Sequence, residues 1–146
     1  MSHHSGSAPC GYHGRYLHVD VSRAGGTYVS IDETALRQTI GGSGLGTWLL
    51  LQQQAAQFEP TSPAAAIAFV FSPLVGSPLT TSAKFAVVSK SPLTDRLNDS
   101  LASSRFAIAG KQTGADAIVI TGRAAELSVL VIDNGQVRLE SAAGLR

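Results

Sequence analysis

The chain has 146 residues, of which 44 % are hydrophobic and 14 % are charged, and its formal net charge is +1 at pH 7. This length and composition are typical of one folded domain and exclude a disordered chain. The balance of 11 basic and 10 acidic residues argues against nucleic-acid binding driven by phosphate contacts. No apolar stretch is long enough to predict a membrane span.

The cysteine content and the N-terminal segment indicate a reducing, cytoplasmic setting. Cys10 is the single cysteine, so the chain forms no internal disulfide and cannot ligate a 4Fe-4S cluster alone. The first residues are polar and lack the apolar core of a signal peptide. We expect residues 1–11 to form a flexible tail and residues 12–146 to form the domain. His3 and His4 in that tail are weak indicators of a metal site.

The first predicted element is a β-hairpin. Residues 14–21 alternate between apolar and polar side chains, which predicts a half-buried strand. Gly25 and Gly26 supply a turn, and residues 27–31 form the returning strand. His18 lies on the polar face of the first strand, where a solvated strand residue is a better interpretation than a catalytic base.

Two predicted helices follow, joined by the glycine-rich run 41–46. Asp32 is a candidate N-cap of the first helix and Gly41 its candidate C-cap, while the second helix is predicted over residues 45–58. A dinucleotide-binding fingerprint is rejected, because its glycines follow a strand, whereas these lie between two helices. Two interpretations remain, a helix cap with a tight turn and a run that lets the backbone approach a phosphate closely.

The central stretch from Phe69 to Asp95 is the part around which the rest of the chain is arranged. Two apolar runs, residues 67–71 and 85–88, are predicted to be buried strands. Proline and glycine residues between them predict a loop, because proline lacks an N–H and glycine reaches positive φ. Lys84 lies among small and hydroxylated residues there, a setting that suits the binding of an anion.

A loop and a third helix are predicted next. Residues 96–104 are small and polar, which is typical of a loop. Ser103 or Ser104 is the candidate N-cap of a helix that is followed by Gly114. Three side chains are expected to face inward from that helix: Phe106, Ala109 and Ile108.

The chain then predicts three strands. Residues 117–121 are continuously apolar and predict a central strand. Residues 127–132 and 136–140 flank Asp133-Asn134-Gly135, a strong hairpin signal. About seven strands and three helices in mixed order indicate an α+β fold with mostly antiparallel hairpins at both ends.

Several segments together resemble the N-terminal domain of the tungsten-containing aldehyde:ferredoxin oxidoreductase family. They are GYHGRYLHVDVSRAG, GGSGLGTWLLLQ, FSPLVGSPLTTSAKFAVVSKSPLT and GADAIVITGRAA. The resemblance extends from Gly11 to Arg138. It implies two facing, mostly antiparallel β-sheets with a few short helices, on which a tungsten or molybdenum pterin with its phosphates and a magnesium ion sits.

The resemblance also implies an activity. The family oxidises aldehydes to carboxylic acids and passes the electrons through a 4Fe-4S cluster to ferredoxin. Its later domains, which carry the cluster cysteines and the acid–base residues, have no counterpart in this sequence. We therefore expect a truncated, catalytically incomplete portion whose partners are a second polypeptide with the remaining domains and, through that assembly, ferredoxin.

The loops that the resemblance assigns to the cofactor depart from the family's residues. The family's Gly-Gly-Arg-Gly turn has Ser43 in place of its arginine, next to Gly44 and before Gly46. Before the central strand the family has a Gly-Arg pair, and this chain has Ala83 and Lys84. Lysine keeps the charge but loses the planar fork of arginine.

The third of these loops departs most. Leu101 replaces the family's asparagine, and Ser103 and Ser104 replace two central glycines, so their side chains fill space that glycine leaves open. The candidate cofactor contacts are therefore Ser43, Gly44, Gly46, Lys84, Ser103 and Ser104.

Two functions follow from this combination. The first is the pterin-binding portion of an oxidoreductase. The alternative is a non-catalytic module, derived from the family, that has lost cofactor binding and acts as an interaction or structural domain. A stand-alone nucleotide binder rests on the glycines alone and ranks third. A homodimer is left open by the sequence.

Overall fold

The computed structural model describes residues 8–145, which form eight strands and three α-helices. The strands are β1 Arg15–Asp20, β2 Gly25–Ser30, β3 Ile67–Phe71, β4 Lys84–Lys90, β5 Leu97–Ser103, β6 Ala117–Thr121, β7 Ser128–Asp133 and β8 Gln136–Ser141. The helices are α1 Glu33–Thr39, α2 Gly42–Gln52 and α3 Arg105–Gln112, with 3-10 turns at Ala55–Gln57 and Ala143–Leu145. The first seven residues of the predicted tail, which include His3 and His4, lie outside the described residues.

Six strands form one sheet in the order β2-β1-β6-β3-β4-β5, and β7 and β8 form a second. Neighbouring strands are antiparallel except for β1 and β6. The β7–β8 hairpin packs on the first sheet through Leu130, Ile132 and Val137, which contact the cluster that contains Leu17 and Val19. The α+β fold with two facing, mostly antiparallel sheets is thereby confirmed.

The core consists of two clusters on opposite faces of the six-stranded sheet. On one face, α2 buries Leu45 and Leu49 against Val70 and Val88. The other face holds Phe71 and is covered by α3 and the hairpin. Because successive side chains of a strand point to opposite faces, Val70 and Phe71 serve different clusters. The two helices are therefore fixed on opposite sides of β3 and β4.

The prediction of a loop over residues 96–104 is wrong, because residues 97–103 form β5. This strand pairs with β4 over its whole length, from Lys84 opposite Ser103 to Lys90 opposite Leu97. All seven of its residues are exposed. A strand exposed on both faces has no alternation of apolar and polar residues, so the period-two signal is missing.

The predicted bounds of the glycine-rich region also need correction. Ile40, with φ of 62°, occupies the C-cap position of α1 that was predicted for Gly41, and Gly41 is instead the N-cap of α2. α2 begins three residues earlier than predicted and ends at Gln52. Gln54 adopts a left-handed conformation with φ of 54°, which a continuing helix does not allow.

The predicted inward face of α3 is right for Phe106, whose ring centroid lies 5.0 Å from that of Phe85 and 5.8 Å from that of Phe69, and wrong for Ile108 and Ala109. Ala107 and Gly110 are the buried residues of this helix. A Cβ atom at Gly110 would lie 2.1 Å from Cζ of Phe71, so the glycine lets the helix approach the phenyl ring. Two small residues therefore pack beside Phe106, which hydrophobicity alone does not predict. Ile108 and Ala109, which were also expected inward, are exposed.

The N-cap prediction for Asp32 is confirmed and leads to a test of pH dependence. Hydrogen bonds from the hydroxyl and the N–H of Thr34 hold the pKa of Asp32 below its usual value. Because the folded pKa lies below the unfolded one, this carboxylate stabilises the fold above the unfolded pKa, and the stabilisation is lost as pH falls through the folded pKa.

We expect Asp32→Asn to keep the cap, since asparagine is also a good N-cap, but to remove its acid sensitivity. Urea unfolding of both proteins between about pH 6 and about pH 3, a range that spans the usual aspartate pKa, should show the wild-type advantage shrinking toward low pH. A constant difference across that range would contradict the prediction.

Candidate functional site

The candidate residues lie toward the end of the six-stranded sheet where β3 finishes and β4 starts. Here α2 and α3 both begin, one on each face. At the start of α2, a Cβ atom on Gly41 would lie 3.0 Å from Cδ of Pro73, just beyond β3. At the start of α3, the N–H of Ser104 donates to the carbonyl of Ala83, just before β4, at 3.2 Å. The sheet thus brings two helix N-termini to one end of the domain.

Lys84 and Ser103 form the centre of this region. Lys84 is the first residue of β4 and lies opposite Ser103, the last residue of β5. The Nζ of Lys84 donates to the Oγ of Ser103 at 2.9 Å, and both residues are exposed. An ammonium group has three N–H donors. Two donors of Lys84 therefore remain for a ligand or for water.

The N-terminus of α3 adds further positive character. Ser104 caps the helix, because its Oγ accepts a hydrogen bond from the N–H of Phe106 at 3.1 Å. The first turn contains Arg105 and no acidic residue. A cation at the positive end of a helix is electrostatically unfavourable unless an anion lies nearby. At this end of the sheet, the α3 N-terminus with Arg105 on one face and Lys84 on the other each favour an anionic ligand.

Ser43 belongs to a different contact. Its hydroxyl donates to the carboxylate of Asp99, which lies on β5 opposite Val88. No side chain caps α2. Asp99 therefore places a negative charge where the family resemblance expects an arginine. Asp99 is not among the candidates predicted from the sequence, because the exposed strand that positions it gives no period-two signal.

Gly44 and Gly46 both face the protein. A Cβ atom at Gly44 would lie 2.7 Å from the carbonyl oxygen of Thr39, and one at Gly46 would lie 2.4 Å from Cγ2 of Val88. Close packing thus requires both glycines, whether or not a ligand approaches α2. Their role in cofactor binding stays a prediction. The space beside each glycine is filled by protein atoms and does not form a cavity for a ligand.

The structure divides the six candidate residues into two groups of three, with Ser43, Gly44 and Gly46 on α2 and the other three where β4, β5 and α3 meet. Lys84 and Ser103 meet at the paired ends of β4 and β5, and Ser104 follows as the N-cap of α3. Ser43 is held at Asp99, four residues before Ser103 along β5, which corresponds to about 13 Å at the rise of a strand. The group where β4, β5 and α3 meet fits an anion such as a phosphate, whereas the group on α2 lies beside a carboxylate and does not.

Residues 8–145 contain neither a metal-binding cluster nor a membrane-spanning helix. No three side chains of His, Cys, Asp or Glu come together there in a way that can hold a metal ion. None of the helices in this range has the length and apolar character needed to cross a membrane. Cys10 is exposed and unpaired.

The family profile described as "Aldehyde ferredoxin oxidoreductase, N-terminal domain" matches residues 16–146. A tungsten-containing aldehyde ferredoxin oxidoreductase of Pyrococcus furiosus is 29 % identical over 130 residues, which cover 89 % of this chain and 22 % of the relative. An aliphatic sulfonate oxidoreductase, WOR-like subunit, of the same organism is 31 % identical over 134 residues, which cover 90 % of this chain and 21 % of the relative.

A solved structure is similar over the same part of the chain. It is the active site complex BamBC of benzoyl coenzyme A reductase with 1,5-dienoyl-CoA, at a TM-score of 0.85 and 28 % identity. The match covers 93 % of this chain and 21 % of that one. The chain therefore spans about a fifth of the length of these relatives.

Proposed function

The chain belongs to the aldehyde ferredoxin oxidoreductase N-terminal domain family, and from this premise we propose that it is the pterin-binding portion of an oxidoreductase. The cofactor is a tungsten or molybdenum pterin, and its phosphates bind at Lys84, Ser103 and the N-terminus of α3. The reaction in question is the oxidation of an aldehyde to a carboxylic acid with transfer of electrons to ferredoxin. The chain is not catalytically complete alone.

The observation that carries this proposal is the contact of Lys84 with Ser103 beside the N-terminus of α3. The Nζ to Oγ distance of 2.9 Å orients the ammonium group and leaves two of its donors available. Arg105 adds a second cation, and no acidic residue of the α3 first turn offsets it. A phosphate placed here would accept charge-assisted hydrogen bonds, which are stronger than neutral ones.

The residues of this chain would bind and orient the cofactor. When bound, a tungsten or molybdenum pterin supplies the redox chemistry, which is a property of the cofactor. Lys84 would neutralise phosphate charge, and Ser103 would fix the direction of the Lys84 side chain. The pairing of β4 with β5 holds both groups on a rigid sheet, which preserves their geometry better than a loop would.

The partners and the setting follow from the same proposal. With a single cysteine, Cys10, the chain cannot supply the ligands of a 4Fe-4S cluster. A second polypeptide or further domains would bring the cluster and the acid–base residues, and ferredoxin would dock on that assembly. The cytoplasm, where thiols stay reduced, is the proposed location.

The test is the content of tungsten, molybdenum and pterin in the protein isolated from its own host, for the wild type and for Lys84→Gln. We expect the wild type to retain the cofactor. Lys84→Gln should bind it about tenfold or more weakly, because a hydrogen bond to a charged group contributes about 1.5–3 kcal/mol, and should therefore be isolated with less metal and pterin. Arg138→Gln is the matched control, since Arg138 is an exposed cation on β8. Equal retention in both variants would refute the role of Lys84.

The second candidate, a non-catalytic module without cofactor, is favoured by one contact. The Asp99 carboxylate bound by Ser43 lies on the same face of β4 and β5 as Lys84 and repels phosphate. The same measurement separates the two functions. A wild-type protein that is folded but contains neither metal nor pterin would establish the module and reject the cofactor-binding portion.

A further inference from the structure

A surface cavity opens between the segment that precedes β1, the loop that follows β3 and the α3 helix. Its volume is about 440 Å³, which lies within the range of ligand pockets in proteins. The three parts contribute the residues that line it: Tyr12 and His13, Val75 and Gly76, and Ile108 and Lys111. The proposed cofactor site uses none of these residues.

The wall of the cavity is fixed by contacts between distant segments. The N–H of His13 donates to the Asp116 carboxylate at 3.0 Å, and the ring Nε2 of His13 donates to the carbonyl of Lys111 at 3.0 Å. A Cβ atom at Gly11 would lie 2.6 Å from the carbonyl oxygen of Pro73, so this segment also contacts the loop after β3. Because the wall is already in place, a ligand binds without the cost of ordering it.

Lys111 places an ammonium group in this wall with more donors than the protein uses. Its side chain is 11 % exposed, and its Nζ pairs with Asp116 at 2.6 Å. The same Nζ lies 5.7 Å from the centre of the Tyr12 ring. Among the described residues, Asp116 is its one hydrogen-bond acceptor, whereas an ammonium group has three N–H donors. Two donors are therefore free for an acceptor that enters the cavity.

The charges around the cavity favour an anionic acceptor. Asp116 is 1 % exposed and does not line the cavity, whereas Lys111 does. None of the lining residues within the range 8–145 is acidic. The positive end of the buried ion pair therefore faces the cavity. A carboxylate accepts stronger hydrogen bonds from an ammonium group than a neutral carbonyl does.

The remaining wall determines the shape of the ligand. Val75, Ile108 and the ring of Tyr12 offer apolar surface beside the ammonium group. Inorganic phosphate would leave this apolar surface without a partner. A short apolar chain that ends in one carboxylate matches both parts of the wall, because ligand pockets combine apolar lining with a few placed polar groups.

We propose that this cavity binds a small monocarboxylate, whose carboxylate accepts hydrogen bonds from Lys111 and whose apolar body contacts the apolar wall. Lys84 lies on the face of the sheet that α2 covers, whereas α3 and its Lys111 lie on the opposite face. The proposal therefore does not depend on the pterin-binding function. We expect a dissociation constant of ~1 mM, since one charged group and a short chain make few contacts.

Titration of the full, 15N-labelled chain with hexanoate, followed by two-dimensional NMR, tests the site. We expect saturable shifts of the amide signals of Gly76 and Gln112, both of which line the cavity. Hexanamide has nearly the same shape without the charge and should bind about tenfold or more weakly, as expected when a charged hydrogen-bond partner becomes neutral.

Two substitutions at Ile108 isolate the charge. Ile108→Glu places a carboxylate one helical turn from Lys111 and should weaken hexanoate binding. Ile108→Gln is the matched control with the same shape and no charge, and it should bind hexanoate about tenfold or more tightly than the glutamate variant. Ile108 is 40 % exposed, so both variants should keep the fold.

A double variant removes the ammonium group itself. Lys111→Met with Asp116→Asn leaves no unpaired buried charge, and it should bind hexanoate no more tightly than hexanamide. If this variant does not fold, the Ile108 pair still decides the question.

Four results would overturn the proposal. They are the absence of saturable shifts up to ~50 mM hexanoate, equal affinities of the wild type for hexanoate and hexanamide, equal affinities of the two Ile108 variants for hexanoate, and shifts confined to Ser103 and Ser104. The last result would place the anion at Lys84.

Discussion

Replacing Asp116 by alanine is expected to lower the free energy of unfolding by about 3–5 kcal/mol, the loss typical of breaking a buried ion pair. Asp116 is 1 % exposed and is the one buried charged residue among residues 8–145. Its carboxylate accepts hydrogen bonds from the N–H of Gly14 at 2.8 Å and of His13 at 3.0 Å, and it pairs with the Nζ of Lys111 at 2.6 Å. Alanine would leave an ammonium group and two N–H groups without a partner in a nearly dry site.

Equilibrium unfolding in urea measures this loss, and an exposed ion pair provides the control. Arg37 pairs with Glu33 at 2.7 Å on the surface of α1, where such a pair contributes about 0.3–0.5 kcal/mol. Arg37→Ala should therefore change stability far less than Asp116→Ala. Similar losses in the two variants would mean that the Asp116 network adds nothing beyond an ordinary charge contact.

The effect is large because Asp116 connects distant parts of the chain. Asp116 lies between α3 and β6. His13 and Gly14 precede β1, which is the parallel neighbour of β6 in the sheet. Lys111 anchors the last turn of α3 to the same carboxylate. Loss of Asp116 would thus loosen α3, whose first residues form part of the candidate cofactor site.

Elements with a strong local signal could be predicted from the sequence. The hairpin of β7 and β8 follows from Asp133-Asn134-Gly135, and the structure has Asn134 and Gly135 at φ of 47° and 78°, as a tight two-residue turn requires. β6 follows from its continuous apolar run, because a strand in the centre of the sheet is covered on both faces. Such signals depend on the residues themselves and on their nearest neighbours.

The missed features depend on contacts between distant segments. β5 has no signal of its own and exists because β4 presents a free edge to it. α3 packs through Ala107 and Gly110 because the ring of Phe71 fills the space beneath them. For the site, the resemblance identified Lys84 and Ser103 singly, but only the β4–β5 pairing brings the two together.

Gly46→Ala is the second substitution with a large expected effect, and we expect it to destabilise the fold by about 1–3 kcal/mol, as overpacking of a core does. On helix propensity alone alanine would stabilise α2 by about 1 kcal/mol. However, the new Cβ would lie 2.4 Å from Cγ2 and 2.9 Å from Cβ of Val88. Val88 is fully buried and β-branched, so it cannot turn away. The steric term therefore outweighs propensity.

A double-mutant cycle with Val88→Ala isolates the contact, again by unfolding in urea. Val88→Ala alone should destabilise by about 1–3 kcal/mol, because it leaves a cavity. The double variant should be more stable than the sum of the two losses predicts, since Val88→Ala makes room for the new methyl group and that group fills part of the cavity. Additive losses would show that Val88 does not limit the space at Gly46. If Gly46→Ala instead unfolds with the wild-type free energy, packing does not require glycine at this position. The approach of a cofactor would then be the remaining explanation for the glycine.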